Sequence, residues 1–286
     1  MRVRRTTPRG IEIKSPEQVA LMRRAGLVVA RGLAEMGAAV VPGATTADID
    51  AVGREVLARA GARSNFLGYG AESGYPPFPG VACVSVNEVV VHGIPGPRVL
   101  RAGDIVSVDF GAIVEGWHAD AARTFVVGGT TTPEAAALIA ATREAMWAGV
   151  AAIAPGVHVG DVSYAVQRSV ESHKGVRYGI VRDYTGHGIG TAMHQPPDVP
   201  NRGRPRTGPR LARGMCLCVE PMLTAGSERV AELDDEWTLR TLDGAWAAHW
   251  ENTVAVLGGG LWVLTEPDGG AAELGARGVA CTPLGE

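Results

Sequence analysis

The sequence predicts an α+β protein composed of two pseudo-symmetric halves, each with antiparallel strands flanked by helices. An internal repeat is the main observation, because the order helix, helix, His-Gly-Ile, acidic strand, acidic strand occurs twice. The tripeptide occupies residues 92–94 and 187–189, and a Pro-Gly pair precedes the second helix of each half at 42–43 and 155–156. Such a repeat favours two halves that share one site over two independent domains.

Four helices are predicted from capping residues and from the spacing of apolar residues. Ser15 can cap the first helix, Pro16 suits its first turn and Gln18 can complete a capping box. The predicted helices begin at Ser15, Thr45, Thr132 and Val159, and three of them end near Gly37, Gly61 and His173.

The stretch from 103 to 124 is predicted to form a β-hairpin that carries two carboxylates. Apolar, β-branched residues make up the first arm, Glu115 and Gly116 supply the turn, and the second arm runs on from there. Asp109 and Asp120 then lie in mid-strand. Because an unpaired carboxylate buried among apolar residues is costly, a compensating metal cation is expected beside them.

The second half repeats this arrangement with glutamates. Gly214 precedes Glu220 by six residues, as Gly103 precedes Asp109, and Glu251 lies in another strand-like run. Each acid taken alone has an ordinary alternative as a cap, a turn residue or a surface group. Four mid-strand acids in two matching pairs favour a shared metal site.

Histidines accompany the acids. His187 lies among three glycines that leave room near its ring, and His194 follows seven residues later. A histidine near glycines is more often a structural turn residue, but the four acids make His187 a predicted metal ligand. His118 and His249 each precede an acid by two residues and share its strand face, which makes them either orienting residues or solvent-exposed ones.

Composition argues against several classes of partner. With 46% hydrophobic and 20% charged residues, the chain is typical of a globular protein with a sizeable core. The net charge of −3, without a basic stripe, argues against DNA or other nucleic acid as a partner. No apolar run reaches the roughly 18 residues of a membrane helix, and no signal peptide is evident, so a cytoplasmic location is expected. The four cysteines form no CxxC pair and are expected to be reduced.

Four carboxylates and one imidazole form a hard, oxygen-rich donor set. The set is too large for one ion and sufficient for two divalent ions about 3.5–4 Å apart, with Co, Mn, Fe and Zn all compatible. Two such ions would activate a water and polarise a carbonyl oxygen, which is the chemistry of amide hydrolysis. The sequence therefore predicts a metal-dependent hydrolase.

Several segments together resemble those of type I methionine aminopeptidases. These segments are 87–95, Asp109 with Asp120, 186–190 with His194, 220–222 and 251–253. The resemblance covers about residues 15 to 265 and implies the pita-bread fold, whose internal pseudo-twofold would account for the repeat. Type II relatives carry a large insertion between the positions of His194 and Glu220, and the short spacing here favours type I.

The resemblance implies a role for each matching residue. Five residues match the ligands of two metal ions: Asp109, Asp120, His187, Glu220 and Glu251. His92 and His194 match catalytic histidines that contact the substrate, His194 at the carbonyl oxygen and His92 at the amide nitrogen. Glu220 would also act as the general base in removing the initiator methionine.

The resemblance also implies a pocket for a methionine side chain. Its expected lining is Tyr75, Phe78, Cys83, Tyr184, Met193 and Trp237, each of which alone is more simply interpreted as core. Thr185 stands where a Cys is common in the family, and Met193 where many relatives carry a bulky aromatic residue. The implied substrates are nascent chains that begin with Met and a small second residue, processed by a monomer.

The expected organisation is one catalytic domain, 15–265, with halves of about 15–130 and 131–265. Residues 1–14 are interpreted as a flexible, solvated arm, with a segment that contacts the ribosome or RNA as the alternative. Its arginines are Arg2, Arg4, Arg5 and Arg9. Residues 266–286 are expected to form a flexible tail.

Two alternative functions stay open at this point. A proline-specific pita-bread peptidase of the aminopeptidase P or prolidase kind would use the same ligands, but those chains usually carry an extra N-terminal domain, for which residues 1–14 leave no room. A binding module of the same fold that has lost its metals is the non-enzymatic alternative. The presence of all five ligand positions argues against that module.

Overall fold

The computed structural model describes residues 5–7 and 10–284. Within them the α-helices are α1 (Pro16–Ala38), α2 (Thr46–Ala60), α3 (Pro133–Ala151), α4 (Val159–Glu171) and α5 (Ala271–Ala276). The capping predictions are confirmed: the Ser15 hydroxyl accepts from the Gln18 amide at the start of α1, and Gly61 ends α2 in the left-handed conformation. No helix in these ranges is both long and apolar enough to cross a membrane.

Antiparallel strands make up the rest of the framework. The strands are β1 (Arg5–Thr6), β2 (Glu12–Ile13), β3 (Arg63–Ser64), β4 (Ala82–Val86), β5 (Val89–Val91), β6 (Ile105–Val114), β7 (Trp117–Val126), β8 (Gly179–Ile180), β9 (Gly186–Gly188), β10 (Gln195–Val199), β11 (Cys216–Val219), β12 (Met222–Thr224), β13 (Val230–Glu232), β14 (Leu239–Thr241), β15 (Ala247–His249), β16 (Asn252–Val256) and β17 (Leu261–Val263).

The predicted hairpin is the centre of the first half. Strands β6 and β7 pair over their whole length, and both Glu115 and Gly116 of the turn have positive φ. Strands β3 and β4 pair with the other edge of β6, and α1 and α2 cover one face. Helix α1 lies very close to this sheet, because a Cβ at Gly32 would stand 2.2 Å from the Phe110 ring.

The second half contains two main sheets that meet at a break in the chain. Strands β10, β9, β11, β16 and β17 form one sheet, and β15, β12 and β8 form the other. Strands β11 and β12 are separated by Glu220 and Pro221, and β15 and β16 by Trp250 and Glu251. The prediction of mid-strand acids is therefore right for Asp109 and Asp120 but wrong for these two glutamates. Pro221 has no N–H to donate, so the ladder is interrupted and each glutamate lies at the junction.

The two halves are joined along β7. Glu251 donates its N–H to the Ala122 carbonyl at 3.0 Å, and the Thr253 hydroxyl donates to the Asp120 carbonyl at 2.7 Å. The Thr124 hydroxyl donates to the His249 carbonyl at 2.9 Å. These bonds place the first-half acid Asp120 beside the second-half acid Glu251. Each half also packs its own apolar cluster.

The described residues of the N-terminal arm, which is expected to be flexible, include two short strands and a buried charged pair. Strand β2 pairs with β1, and Glu12 and Lys14 are both buried against the second half. Lys14 donates its N–H to the Gly214 carbonyl at 2.7 Å, which extends the pairing beyond the arm itself. The buried Glu12–Lys14 pair fixes this segment against the rest of the protein. The few apolar residues of the segment do not indicate such an anchor. Three of its arginines, Arg2, Arg4 and Arg9, lie outside the described residues.

The C-terminal segment 266–286, which is expected to be a flexible tail, contains a packed helix in its described part. Its described part contains α5, and Leu274 of that helix is fully buried in the second-half core. Arg277 forms ion pairs with Glu144 and Glu273. The segment is rich in Gly and Ala, and its composition does not indicate a packed helix. Leu274 and the ion pairs of Arg277 attach it to the second half. All four cysteines of the chain are free, as predicted.

Candidate active site

One cleft at the junction of the sheets collects most of the predicted site residues. It encloses about 540 Å³ of empty space. Its lining residues are Phe66, Tyr69, Phe78, Cys83, His92, Asp109, Asp120, His187, Met193, His194, Glu220, Trp237 and Glu251. All five predicted metal ligands and both predicted catalytic histidines therefore lie in the same cleft.

The acids are close enough to share cations. Carboxylate oxygens of Asp109, Asp120 and Glu251 lie within 4.8 Å of one another. A second group with the same spacing consists of Glu220, Glu251 and the His249 ring. Asp109 and Asp120 come from the paired strands β6 and β7, and the two glutamates come from the junction in the second half.

His187 belongs to the same constellation. Its Nε2 lies 3.3 Å from Glu220 Oε1, and its Nδ1 is 3.0 Å from the Gly188 carbonyl oxygen. Burial, followed by the nearby His194, lowers the pKa of His187 to about 3, so its ring is neutral at physiological pH. A neutral imidazole whose Nδ1 donates to a backbone carbonyl presents Nε2 as a metal donor.

The acids are electrostatically unfavourable without a cation. Burial raises the pKa of Asp109 to about 7. The pKa values of Asp120, Glu220 and Glu251 are raised well above their usual range, first by burial and then by the charges of neighbouring acids. Such clustered carboxylates are stable in the ionised form only with positive charge beside them.

Unpaired polar atoms support the same conclusion. In the described part of the chain, Asp109 Oδ1, Asp120 Oδ1 and Glu251 Oε1 are buried without a hydrogen-bond partner in the protein. Buried polar atoms are normally satisfied, so orphaned oxygens that converge on one point need another explanation. Carboxylate oxygens with one imidazole nitrogen suit divalent cations, and the residues present therefore fit a metal centre.

The two remaining histidines lie on the open side of the acids. His194 is exposed at the rim, and its ring centroid is 4.3 Å from that of His187. Its Nδ1 is 2.5 Å from the Tyr69 hydroxyl oxygen. His92 has a positive φ of 59° and packs edge-on against the Tyr184 and Trp237 rings. Both imidazoles thus face the space where a substrate would meet the acids.

Most of the predicted methionine pocket lies against the acids. Phe78, Cys83 and Met193 pack together in one small apolar cluster, with Trp237 beside them. Tyr75 and Tyr184 instead line an adjoining outer cleft. Of the six residues predicted to line the methionine pocket, four therefore line the main cleft and two line the adjoining one.

Other predictions are resolved by the hydrogen bonds. His249 is buried, with Nε2 3.7 Å from Glu220 Oε2, so the solvent-exposed alternative for it is wrong. His118 is bonded through Nδ1 to Asn65 Oδ1 at 2.9 Å and does not line the cleft. The Thr185 hydroxyl donates to the Gly186 carbonyl and is also absent from the lining.

Sequence reasoning missed two residues of the cleft, Phe66 and Tyr69. Phe66 lies two residues before the loop 68–79, and Tyr69 is the second residue of that loop. The sequence did not determine which side chains of this loop face the pocket. That loop contains a single 3₁₀ turn, Ala71–Ser73, and three glycines with positive φ. Its aromatic content was the available signal, but glycine-rich loops have no periodicity from which side-chain direction can be inferred.

Comparisons with known proteins identify the family of this chain. Residues 20–257 match the model of metallopeptidase family M24. A methionine aminopeptidase of Clostridium acetobutylicum is 46% identical over 256 residues, which cover 89% of this chain and 98% of that protein. Methionine aminopeptidase 1 of Mycobacterium tuberculosis is 45% identical over 93% of this chain and 97% of its own length.

A solved structure extends the similarity to three dimensions. The crystal structure of methionine aminopeptidase from Thermotoga maritima superposes with a TM-score of 0.84 at 40% identity, and the match covers 90% of this chain and 99% of that one. The α+β class and the pita-bread fold implied by the resemblance are thereby confirmed. The chain belongs to metallopeptidase family M24 and, within it, to the methionine aminopeptidases.

Proposed function

We propose that this protein removes the N-terminal initiator methionine from nascent proteins and peptides by metal-assisted amide hydrolysis. The observation that carries the proposal is the convergence of four acids and His187 beside a small apolar cluster that contains Cys83 and Met193. The four carboxylates and the imidazole of His187 are ligands that divalent cations prefer, and the apolar cluster can accommodate the unbranched thioether side chain of methionine.

The proposed metal centre uses Asp109, Asp120, His187, Glu220 and Glu251 as ligands. We propose two divalent ions, because three overlapping groups of donors share Glu251 and no single ion accommodates all of them. When bound, such ions supply an activated water and polarise the scissile carbonyl.

The protein side chains supply proton transfer and orientation. Glu220 is proposed as the general base, because its carboxylate lines the cleft at the proposed metal centre, with Oε1 3.3 Å from His187 Nε2. His194 would donate to the carbonyl oxygen, because its Nδ1 is engaged with Tyr69 and its Nε2 is left for the substrate. His92, which packs against the Trp237 ring in the same cleft, would contact the scissile amide nitrogen.

The apolar cluster would select methionine at the first position. Phe66, Phe78 and Met193 are almost fully buried, and the Phe78 and Trp237 rings meet edge-to-face at 5.4 Å between centroids. Sulfur and aromatic edges make favourable contacts, so a thioether fits this lining better than a branched aliphatic chain. Tyr75 and Tyr184 at the entrance would contact the following residues of the substrate.

We propose further that the protein acts in the cytoplasm as a type I monomer on chains with a small second residue. The short connection from His194 to Glu220 supports the type I assignment. A transient contact with the ribosome stays part of this proposal, because nascent chains emerge there.

The test compares two peptide classes with the purified, cobalt-loaded protein. Release of Met from a Met-Gly peptide, with no cleavage of an Xaa-Pro peptide, is the expected result. Cleavage of the Xaa-Pro peptide alone would indicate a proline-specific peptidase. A protein that binds no divalent metal even after reconstitution would instead support the non-enzymatic alternative.

A further inference from the structure

We propose that Glu266, acting through Arg123, positions Glu251 for metal binding and thereby raises the affinity of the centre for divalent cations. The inference rests on the proposed role of Glu251 as a metal ligand. It assigns Arg123 and Glu266 as positioning residues, and it gives the C-terminal segment a part in the metal centre.

Glu251 is the acid on which the centre depends most. It belongs to each of the three groups of metal-compatible donors, together with Asp109 and Asp120, with Glu220 and His249, or with His187 and Cys218. It lies between β15 and β16 and is not part of either strand. Contacts outside a regular ladder must therefore fix its backbone.

Glu251 pairs through its backbone with Ala122, and Arg123 adds the side-chain contacts that hold this segment. Arg123 lies on β7, and its Nη1 donates to the Glu251 carbonyl at 2.5 Å and to the Ala122 carbonyl at 2.8 Å. Its Nη2 donates to Asn252 Oδ1 at 2.8 Å. The guanidinium stacks over the Trp250 ring, 5.0 Å from its centroid. One side chain thus holds three consecutive residues, 250–252, in place.

Glu266 holds the guanidinium in this orientation. Its Oε1 is 2.6 Å from Arg123 Nη2 and accepts from Asn252 Nδ2 at 3.1 Å. The Arg123 side chain is only 12% exposed and that of Glu266 22%, so the pair is largely shielded from water. Glu266 is itself anchored, because Arg23 Nη1 of α1 donates to its backbone carbonyl at 2.6 Å.

These contacts form a continuous path from the C-terminal segment to a metal ligand. Without Glu266, the guanidinium loses the one carboxylate with which it forms an ion pair among the described residues, and it can turn away from the Glu251 carbonyl. Residues that orient metal ligands typically change metal affinity by about 10–100-fold when they are removed. An effect of this size is expected here.

The experiment measures Co²⁺ binding to the metal-free protein by titration calorimetry and by visible absorption. Glu266→Ala is compared with wild type and with a matched control, Glu273→Ala. Glu273 lies in the same C-terminal segment, has a similar side-chain exposure of 27% and pairs with Arg143 and Arg277, but it does not contact Arg123 or Glu251. Loss of general packing should affect both variants, whereas loss of positioning should affect only one.

We expect Glu266→Ala to bind Co²⁺ about ten-fold or more weakly, with a changed absorption spectrum, and Glu273→Ala to match wild type in both. Glu266→Gln keeps an acceptor for Arg123 but removes the charge of the ion pair, so it should bind Co²⁺ measurably more weakly than wild type and more tightly than Glu266→Ala, and it carries the test if the alanine variant does not fold. Unchanged affinity and spectrum in the folded Glu266 variant would overturn the inference. Failure of wild type to bind Co²⁺ would instead contradict the proposed function.

Discussion

Two glutamates show how neighbouring residues decide what a carboxylate does in this protein. Burial alone would raise the pKa of Glu12, but the Thr191 backbone N–H and the Lys14 ammonium outweigh it, and the pKa falls below its usual value. Among the described residues, the Glu220 carboxylate is close to the neutral rings of His187 and His249 but to no lysine or arginine, and burial together with Asp109 and Asp120 raises its pKa. The first carboxylate is therefore a structural anion, whereas the second needs a cation beside it to stay ionised.

Glu220→Ala should abolish turnover while leaving the fold intact. The substitution removes both a proposed metal ligand and the proposed base, so kcat should fall by at least about 100-fold. It also removes one of several crowded acids, so the thermal midpoint of the metal-free protein should not fall. Peptide hydrolysis and thermal denaturation check the two statements. Normal turnover in Glu220→Ala would show that Glu220 is neither an essential ligand nor the base. Glu171→Ala, which changes an exposed glutamate, is the control.

At the scale of elements, the short strand β2 does more than its length suggests. It carries Glu12, whose carboxylate accepts from the backbone N–H and the hydroxyl of Thr191, both at 3.1 Å. A Cβ at Gly190 would stand 2.4 Å from Glu12 Oε2 and 2.8 Å from Lys14 Nζ. This segment of the N-terminal arm thus supports the loop that leads to Met193 and His194 from behind.

Lys14→Ala should destabilise the protein by about 3 kcal/mol, because it leaves the buried Glu12 carboxylate without its cation. The Lys14 and Glu12 side chains are only 2% and 6% exposed, with Nζ and Oε2 3.8 Å apart. The only other lysine of the chain, Lys174, is exposed and offers a matched control in Lys174→Ala. Urea denaturation measures the free energy of unfolding. Equal values for the two variants would show that the buried pair contributes nothing net.

At the scale of the whole molecule, the proposed metal centre forms only where the two halves of the fold meet. Asp109 and Asp120 come from the first half and His187, Glu220 and Glu251 from the second, and the seam along β7 brings them together. Neither half alone holds enough ligands for the proposed centre. Cations bound there should therefore stabilise the complete fold.

Metal binding should stabilise the protein more strongly as the pH rises from about 5 to about 8. In the metal-free protein the pKa of Asp109 is raised to about 7, and those of the other three acids are raised well above normal. The native state then keeps protons that the unfolded state has lost, so the stabilising contribution of these groups is lost as the pH rises through about 7. Bound cations favour the ionised carboxylates, so the metal-loaded protein does not lose this stability as the pH rises.

The measurement is the difference in thermal midpoint between cobalt-loaded and metal-free protein across this pH range. Groups outside the ligand set, such as His92 with its pKa of about 4, titrate in both forms and largely cancel in the difference. A difference that stays constant or narrows with rising pH would contradict the assignment of these acids as shared ligands.

Much of the fold was predictable because its signals are local. The caps at Ser15 and Thr45 and the turn at Glu115 and Gly116 involve residues only a few positions apart, and the structure contains each of them. The contacts of the two terminal segments were not predictable in this way. Leu274 of α5 and the Glu12–Lys14 pair are each held by distant parts of the chain, which leave no periodic pattern in the sequence.

The sequence by itself determined which residues could bind metal and that they occur in two matching sets. Only the tertiary structure decided that Glu220 and Glu251 lie at a junction of sheets, that Phe66 and Tyr69 line the cleft, and that Glu266 reaches Arg123. The physical reason is distance along the chain: Thr253 bonds to Asp120 across 133 positions, and Glu266 bonds to Arg123 across 143. Contacts of that range depend on how the two halves pack, whereas residue type and spacing are properties of the sequence alone.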